Sequence, residues 1–226
     1  MTKTAVETYH EQFARDGFCL IKSVLTPDVA ARLLADVAED IHRVGMDKFF
    51  GQTSIHSNPG LEVYSHDYKM LNSFQWGLTG LVREITGANL TPGFAYFQIY
   101  QKDNHLFVHS DRSSCEYSMS LTLAYSDDLP WDLTVGDDLV DHTDPEEGKI
   151  VAQDFGDDKY HRLRMAPGDG VLYPGYTRRH GRLEPNPNRW SAHIFLHWVD
   201  ADGPHAKYSF DEKVKDTTVD FNIPRV

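Results

Sequence analysis

Cysteine is scarce in this chain. Cys19 and Cys115 are the only two among 226 residues, which excludes a disulfide framework and leaves no cysteine spacing that would hold zinc. Long apolar runs are missing as well. No stretch could span a bilayer, and the opening MTKTAVETYHEQFARDGF has no apolar centre of the signal-peptide kind. A cytoplasmic protein with no membrane partner is the expectation. Positive charge is in deficit, with 22 Lys and Arg against 34 Asp and Glu and a formal net charge of −12. Such a surface repels phosphate backbones, so nucleic acid is not an expected partner. Internal repeats, low-complexity tracts and a linker between halves are also lacking. What is present is 40% apolar and 12% aromatic residues, enough to bury the core of a single domain over 1–226. Twelve histidines supply the side chain that most often ligates metals. Nothing in the pattern speaks to oligomeric state.

The hydrophobic period divides the chain in two. Residues 1–92 read as a mostly helical support. VETYHEQFARDG predicts a helix stopped by Gly17, FCLIKSV a short strand, and LTPDVAARLLADVAEDIHRVG a second helix. That helix has Thr26 as N-cap, Pro27 in its first turn and Val29, Leu33, Val37 and Ile41 on one face. FGQTSIHSNPGLEVYSHD reads as loop, and KMLNSFQWGLTGLVREITGANL as a third helix. From residue 93 to 200 the period becomes two: FAYFQIYQ, EYSMSLTLAY, WDLTV, KIVAQDF, YHRLRMA, GVLYPG and RWSAHIFLHWVD read as strands. Helices followed by many short strands predict a mainly β fold with flanking helices. Its core would be a double-stranded β-helix (a jelly roll, cupin-like), with the helical layer packed on one sheet. Residues 201–226 form a C-terminal extension. The acidic stretch SDDLPWDLTVGDDLVDHTDPEEG, residues 126–148, reads either as a solvated insertion or as a lid beside a site.

FVHSD, residues 107–111, places His109 and Asp111 on one side of a strand. Alone this is surface decoration or two ligands of a metal site awaiting a third. In MAPGDGVLYPGYTRRHGRLEPNPNRWSAHIFLHW a tight turn and strand lead to a short loop that delivers His180, and Arg189 and Ser191 follow. Two imidazoles and one carboxylate on one face of a metal leave positions open for a co-substrate and O2, the arrangement suited to non-haem Fe(II). A guanidinium fork with a hydroxyl beside it suits a carboxylate.

With these residues in view, the sequence resembles the Fe(II)/2-oxoglutarate-dependent oxygenases, in their prolyl-hydroxylase-like and small-molecule hydroxylase branch. FARDGFCLIKSVLTPDVAARLLADV resembles the N-terminal helix–strand–helix of that superfamily, and HSD, PGDGVLYPG…H and RWS resemble its barrel signature. The resemblance implies Fe(II) on His109, Asp111 and His180. It implies 2-oxoglutarate on Arg189 and Ser191, with Tyr100 touching the same co-substrate, and O2 as oxidant. Related halogenases carry a small residue where Asp111 stands, so the resemblance implies hydroxylation or another oxidation in place of halogenation, with release of succinate and CO2.

Strand alternation adds a polar lining. If Arg189 faces the barrel interior, then His193 and His197 do too, and Tyr96, Gln98 and Tyr100 oppose the apolar Ala95, Phe97 and Ile99. Tyr96, Gln98, Arg112, His193 and Trp131 are the candidate substrate contacts, Arg112 for a substrate carboxylate and Trp131 as a closing aromatic. For each there is a plain alternative: a satisfied buried histidine, a core side chain, a surface arginine, an aromatic that anchors an insertion. His56, His66, His105, His142 and His161 lack metal-ligand spacing and read as loop or surface histidines. The expected substrate is a small polar molecule, an amino acid or its derivative. The rivals are a hydroxylase of a prolyl or other residue within a protein, and a jelly-roll binder of metal or ligand without turnover.

Overall fold

Alternating side chains build two antiparallel sheets. The computed structural model describes residues 4–51, 53–142 and 151–212. Its strands are β1 (Cys19–Ile21), β2 (Phe50–Gly51), β3 (Gly60–Tyr64), β4 (Leu90–Gln101), β5 (Leu106–His109), β6 (Tyr117–Tyr125), β7 (Leu133–Leu139), β8 (Tyr160–Leu163), β9 (Gly170–Tyr173), β10 (Arg178–Arg182) and β11 (Trp190–Asp200). The larger sheet runs β1-β9-β6-β11-β4-β3-β2 and the smaller β5-β10-β7-β8. Together they form the jelly-roll core with helices at one side.

The helices are α1 (Ala5–Asp16), α2 (Pro27–Val44) and α3 (Met70–Thr86). A reciprocal cap starts α1: the Glu7 amide donates to Thr4 Oγ1 at 3.2 Å, and the Thr4 amide donates to Glu7 Oε2 at 2.6 Å. Gly17 ends it at φ 76°, where a side chain would be strained. α2 begins at Thr26 as expected, but without a side-chain capping bond. Its buried residues are Ala30, Val37 and Ile41, while Val29 is exposed, so the apolar face is rotated from the one the four-residue spacing predicts.

The helices cover the outer face of the larger sheet. Ala95 and Phe97 of β4, Met119, Leu121 and Leu123 of β6, and Ala192, Ile194, Leu196 and Trp198 of β11 pack there with Val37, Ile41, Leu71, Val82 and Ile85. The alternate residues of the same strands point inward, between the sheets. The predicted division of faces therefore holds in all three strands. A second apolar cluster, from Phe18, Leu133, Val135, Leu163, Met165, Val171 and Tyr173, joins the two sheets at one end.

Four expectations change. The presumed loop before α3 contains β3, paired with β4 from Leu61↔Ile99 to Tyr64↔Tyr96. His180 sits within β10 instead of on a loop. The strand expected at WDLTV does not stop there but runs on through the acidic stretch to Leu139 as β7, an inner strand of the smaller sheet paired with β10 and β8; residues 143–148 lie outside the described residues. Of the strand expected in KIVAQDF, residues 149–150 lie outside too, and the rest provides a single bridge, Ala152 to Val108. Of the C-terminal extension, residues 213–226 lie outside the described residues.

Candidate metal centre and cleft

Antiparallel pairing brings the two imidazoles together. β5 and β10 are in register with His109 opposite His180, and directly opposed residues present side chains to the same face. Their ring centroids are 4.3 Å apart. Asp111, just past β5, is held by its amide donating to the Gly175 carbonyl at 2.9 Å. Its carboxylate reaches both rings, Oδ1 lying 3.6 Å from His109 Nε2 and Oδ2 3.6 Å from His180 Nε2. All three ligand atoms lie within 4.8 Å of one another.

The supporting contacts aim these atoms. His109 Nδ1 is 2.7 Å from the Phe107 carbonyl and His180 Nδ1 is 3.1 Å from the Arg178 carbonyl. A carbonyl only accepts, so each Nδ1 donates and each Nε2 turns a lone pair toward Asp111. Burial pushes His180 down to about 4, against the pull of Asp111, which keeps it neutral and able to ligate. Burial also pushes the Asp111 carboxyl up, but His180 and then His109 outweigh it and hold the group well below the usual carboxylate range. Gly175 keeps this corner open, because a Cβ there would collide with Asp111 Oδ2 and Ser118 Oγ.

Arg189 is not part of this centre. Its side chain is 73% exposed and bonded to Asp127, with Nε donating to Oδ1 at 3.2 Å. It precedes the first residue of β11, so the inward alternation begins only at Ser191. Asp127, in the turn after β6, also accepts from the Arg189 amide at 2.7 Å and fixes the outward course. Ser191 is fully buried beside Tyr100 in the ladder, its hydroxyl accepting from Asn186 Nδ2 at 3.2 Å.

The buried guanidinium is Arg182, two residues beyond His180 and 1% exposed. Its carbon Cζ lies 4.6 Å over the Trp131 ring, Nη1 donates to the Trp131 carbonyl, and Nη2 is 3.4 Å from His193 Nδ1. Arginine only donates, so His193 Nδ1 accepts and the ring proton belongs on Nε2. Burial, and then Arg182, hold His193 well below its ordinary pKa. Tyr100 meets His193 and Trp131 edge to face at 5.7 and 5.1 Å. Arg182 Nε, His193 Nε2 and Tyr100 Oη are all buried with no partner among the described residues. Strand period could have found Arg182, had TRRHGRL been read as a strand.

A cleft of about 280 Å³ opens beside the triad. Tyr96 lines it, stacked on Phe195 at 4.9 Å. Arg112 lies on its exposed rim with Cζ 4.7 Å over the Phe94 ring. Gln98 lies just beneath, fully buried, donating to Glu62 Oε1 at 3.2 Å. His193 and Trp131 do not line this cleft; they stand with Arg182 on the far side of Tyr100. Trp131 is anchored there by Nε1 donating to the Glu184 carbonyl at 2.7 Å. His197, placed on the interior face by strand alternation but not among the candidate substrate contacts, lines the cleft, bonded to Ser118 Oγ at 2.8 Å; Glu62 escapes the sequence reading, and His56 is 3% exposed and no surface histidine.

No family model matches the sequence, and no curated protein does. Among solved structures the chain is similar to the non-haem alpha-ketoglutarate-dependent carbocyclase SnoK from nogalamycin biosynthesis, with TM-score 0.67 and 14% identity over 89% of this chain and 88% of that one. It is similar to HygX from Streptomyces hygroscopicus, solved with nickel and 2-oxoglutarate bound, with TM-score 0.61 and 12% identity over 89% of each chain. A Pseudomonas putida prolyl-4-hydroxylase matches with TM-score 0.60 and 14% identity, over 85% of this chain and 98% of that one. At these identities the likeness establishes a shared fold.

Proposed function

We propose that this chain is a non-haem Fe(II)- and 2-oxoglutarate-dependent dioxygenase that hydroxylates a C–H bond of a small polar substrate, an amino acid or an amino-acid-derived metabolite. The observation that carries the reading is the juxtaposition of the His109–Asp111–His180 triad with Arg182, a buried cation that no carboxylate among the described residues neutralises.

The residues present fit both groups. Two imidazoles and one carboxylate are a donor set that would suit ferrous iron and would leave room for further ligands. Arg182 Nε, His193 Nε2 and Tyr100 Oη are three unsatisfied donors. Orphaned buried donors are costly, and an acceptor-only carboxylate answers all three. Arg182 therefore takes the role that the resemblance gave to Arg189, with Tyr100 beside it and Ser191 as a buried neighbour. When bound, the iron couples O2 activation and the decarboxylation of 2-oxoglutarate to substrate oxidation. The chain contributes orientation. The Phe107 and Arg178 carbonyls fix the two imidazole rings, and Asp111 would supply the one anionic ligand to the metal. Tyr96, Phe94 and His197 wall the cleft where a substrate would lie.

Anaerobic addition of Fe(II) and 2-oxoglutarate is expected to give a weak visible charge-transfer band, followed by succinate release when O2 is admitted. His109→Ala is expected to lose both. Undiminished succinate formation by that variant would show the metal to be elsewhere.

A further inference from the structure

Glu62 and Tyr64 stand on the inner face of β3, opposite Gln98 and Tyr96 of β4. The Glu62 side chain is 11% exposed. Its carboxylate is met by neutral donors, Gln98 Nε2 at 3.2 Å and the Tyr64 hydroxyl at 3.3 Å. His56 Nδ1 lies 3.5 Å away, but burial pushes that imidazole down to about 4, so it brings no charge at neutral pH. No Lys or Arg pairs with Glu62 among the described residues. A carboxylate sunk in a cleft without a counter-charge is unfavourable until a ligand supplies one. Aromatic rings wall the cleft beside it, Tyr64 stacking on Tyr96 at 5.3 Å.

Arg112 provides the opposite charge. It projects from the rim over Phe94, and among the described residues no carboxylate pairs with it, because neighbouring Asp111 is turned to the two imidazoles. Glu62, Tyr64 and Arg112 all line the same cleft, so the two charges face one space. That space, about 280 Å³, is at the small end of ligand pockets.

We propose that the cleft binds a free α-amino acid, its ammonium group on Glu62 against the Tyr64–Tyr96 wall and its carboxylate on Arg112. The carbon skeleton is left to face His109 and Asp111. A residue inside a peptide has neither charge and would satisfy neither end. The inference rests on the oxygenase reading for what happens to the skeleton, but binding itself can be tested separately.

The test is isothermal titration calorimetry on the full chain, loaded anaerobically with Fe(II) and 2-oxoglutarate. The ligands are the proteinogenic L-amino acids, then the N-acetyl and amide derivatives of each one that binds. At least one free amino acid is expected to bind, with N-acetylation and amidation each weakening it by roughly tenfold or more, the loss of one charge-assisted contact. Glu62→Gln is expected to abolish the discrimination against N-acetylation, and Arg112→Gln the discrimination against amidation. Losing one end at a time is a pattern that misfolding cannot mimic. The clamp is overturned if no free amino acid binds, if capped forms bind equally well, or if both variants keep full discrimination. The charge-transfer band of the unmodified protein reports on the oxygenase reading. A band without amino-acid binding refutes the clamp alone, and binding without a band supports the clamp and refutes the oxygenase.

Discussion

Arg189 and Arg182 differ in surroundings, and the proposed 2-oxoglutarate site rests on the second. Arg189 is tied to Asp127 in solvent, where ion pairs contribute little; Arg182 is buried against Trp131 and His193 with a donor left over. Arg189→Gln should therefore leave 2-oxoglutarate affinity within about twofold, while Arg182→Met should raise Kd by roughly 10- to 100-fold, the value of one or two hydrogen bonds to a charged group. Without 2-oxoglutarate, Arg182→Met should melt at the same temperature or higher, because replacing an uncompensated buried charge with an apolar side chain is neutral or stabilising. Titration of the charge-transfer band and thermal melts read the two effects apart. A fall in melting temperature with unchanged co-substrate affinity would make Arg182 a structural residue.

At the scale of elements, β10 is the strand on which the site turns. It pairs with β5 on one side and β7 on the other, and the β5 pairing sets His180 against His109. The approach is close: a Cβ on Gly181 would stand 2.9 Å from the Leu106 carbonyl oxygen and 3.0 Å from that of Phe107. Gly181→Ala should force the two strands apart, cost about 1–3 kcal/mol of stability and weaken Fe(II) binding. A metal titration indistinguishable from the unsubstituted chain would mean that the register tolerates this shift. β3 matters for a different reason, since it carries Glu62 and Tyr64 into the cleft. Its GLEVY sequence alternates too briefly, between a glycine-bearing loop and a helix, for the pattern to show on its own; pairing with β4 makes it a strand.

Over the whole molecule, burial of neutral imidazoles makes stability depend on pH. Burial pushes His56, His180 and His197 down to about 4, whereas an unfolded histidine titrates near 6.5. Between those values the unfolded chain binds more protons than the folded one. Stability should thus be fully present above about pH 6.5, fall as pH drops toward 4 by at most about 1.4 kcal/mol per unit for each histidine, and lose nothing further to these groups below it. Chemical denaturation across that range in metal-free buffer is the measurement. A flat profile would show these histidines to be solvated or already protonated.

What the sequence determined by itself was periodic or local. The two-residue alternation of FAYFQIYQ, EYSMSLTLAY and SAHIFLHW assigns the core and interior faces of β4, β6 and β11, and the spacing in HSD suggests a common direction for His109 and Asp111, which the Asp111–Gly175 bond secures past the end of β5. Only the tertiary structure decided which cation serves the interior. Strand period says which side a residue takes but not where a strand ends, and Arg189 lies one residue outside β11, in reach of Asp127. Nor could the chain alone reveal that β3 closes the cleft with Glu62, or that His56 is buried there. Those facts depend on hydrogen bonds between strands far apart in sequence, which leave no mark on any one of them.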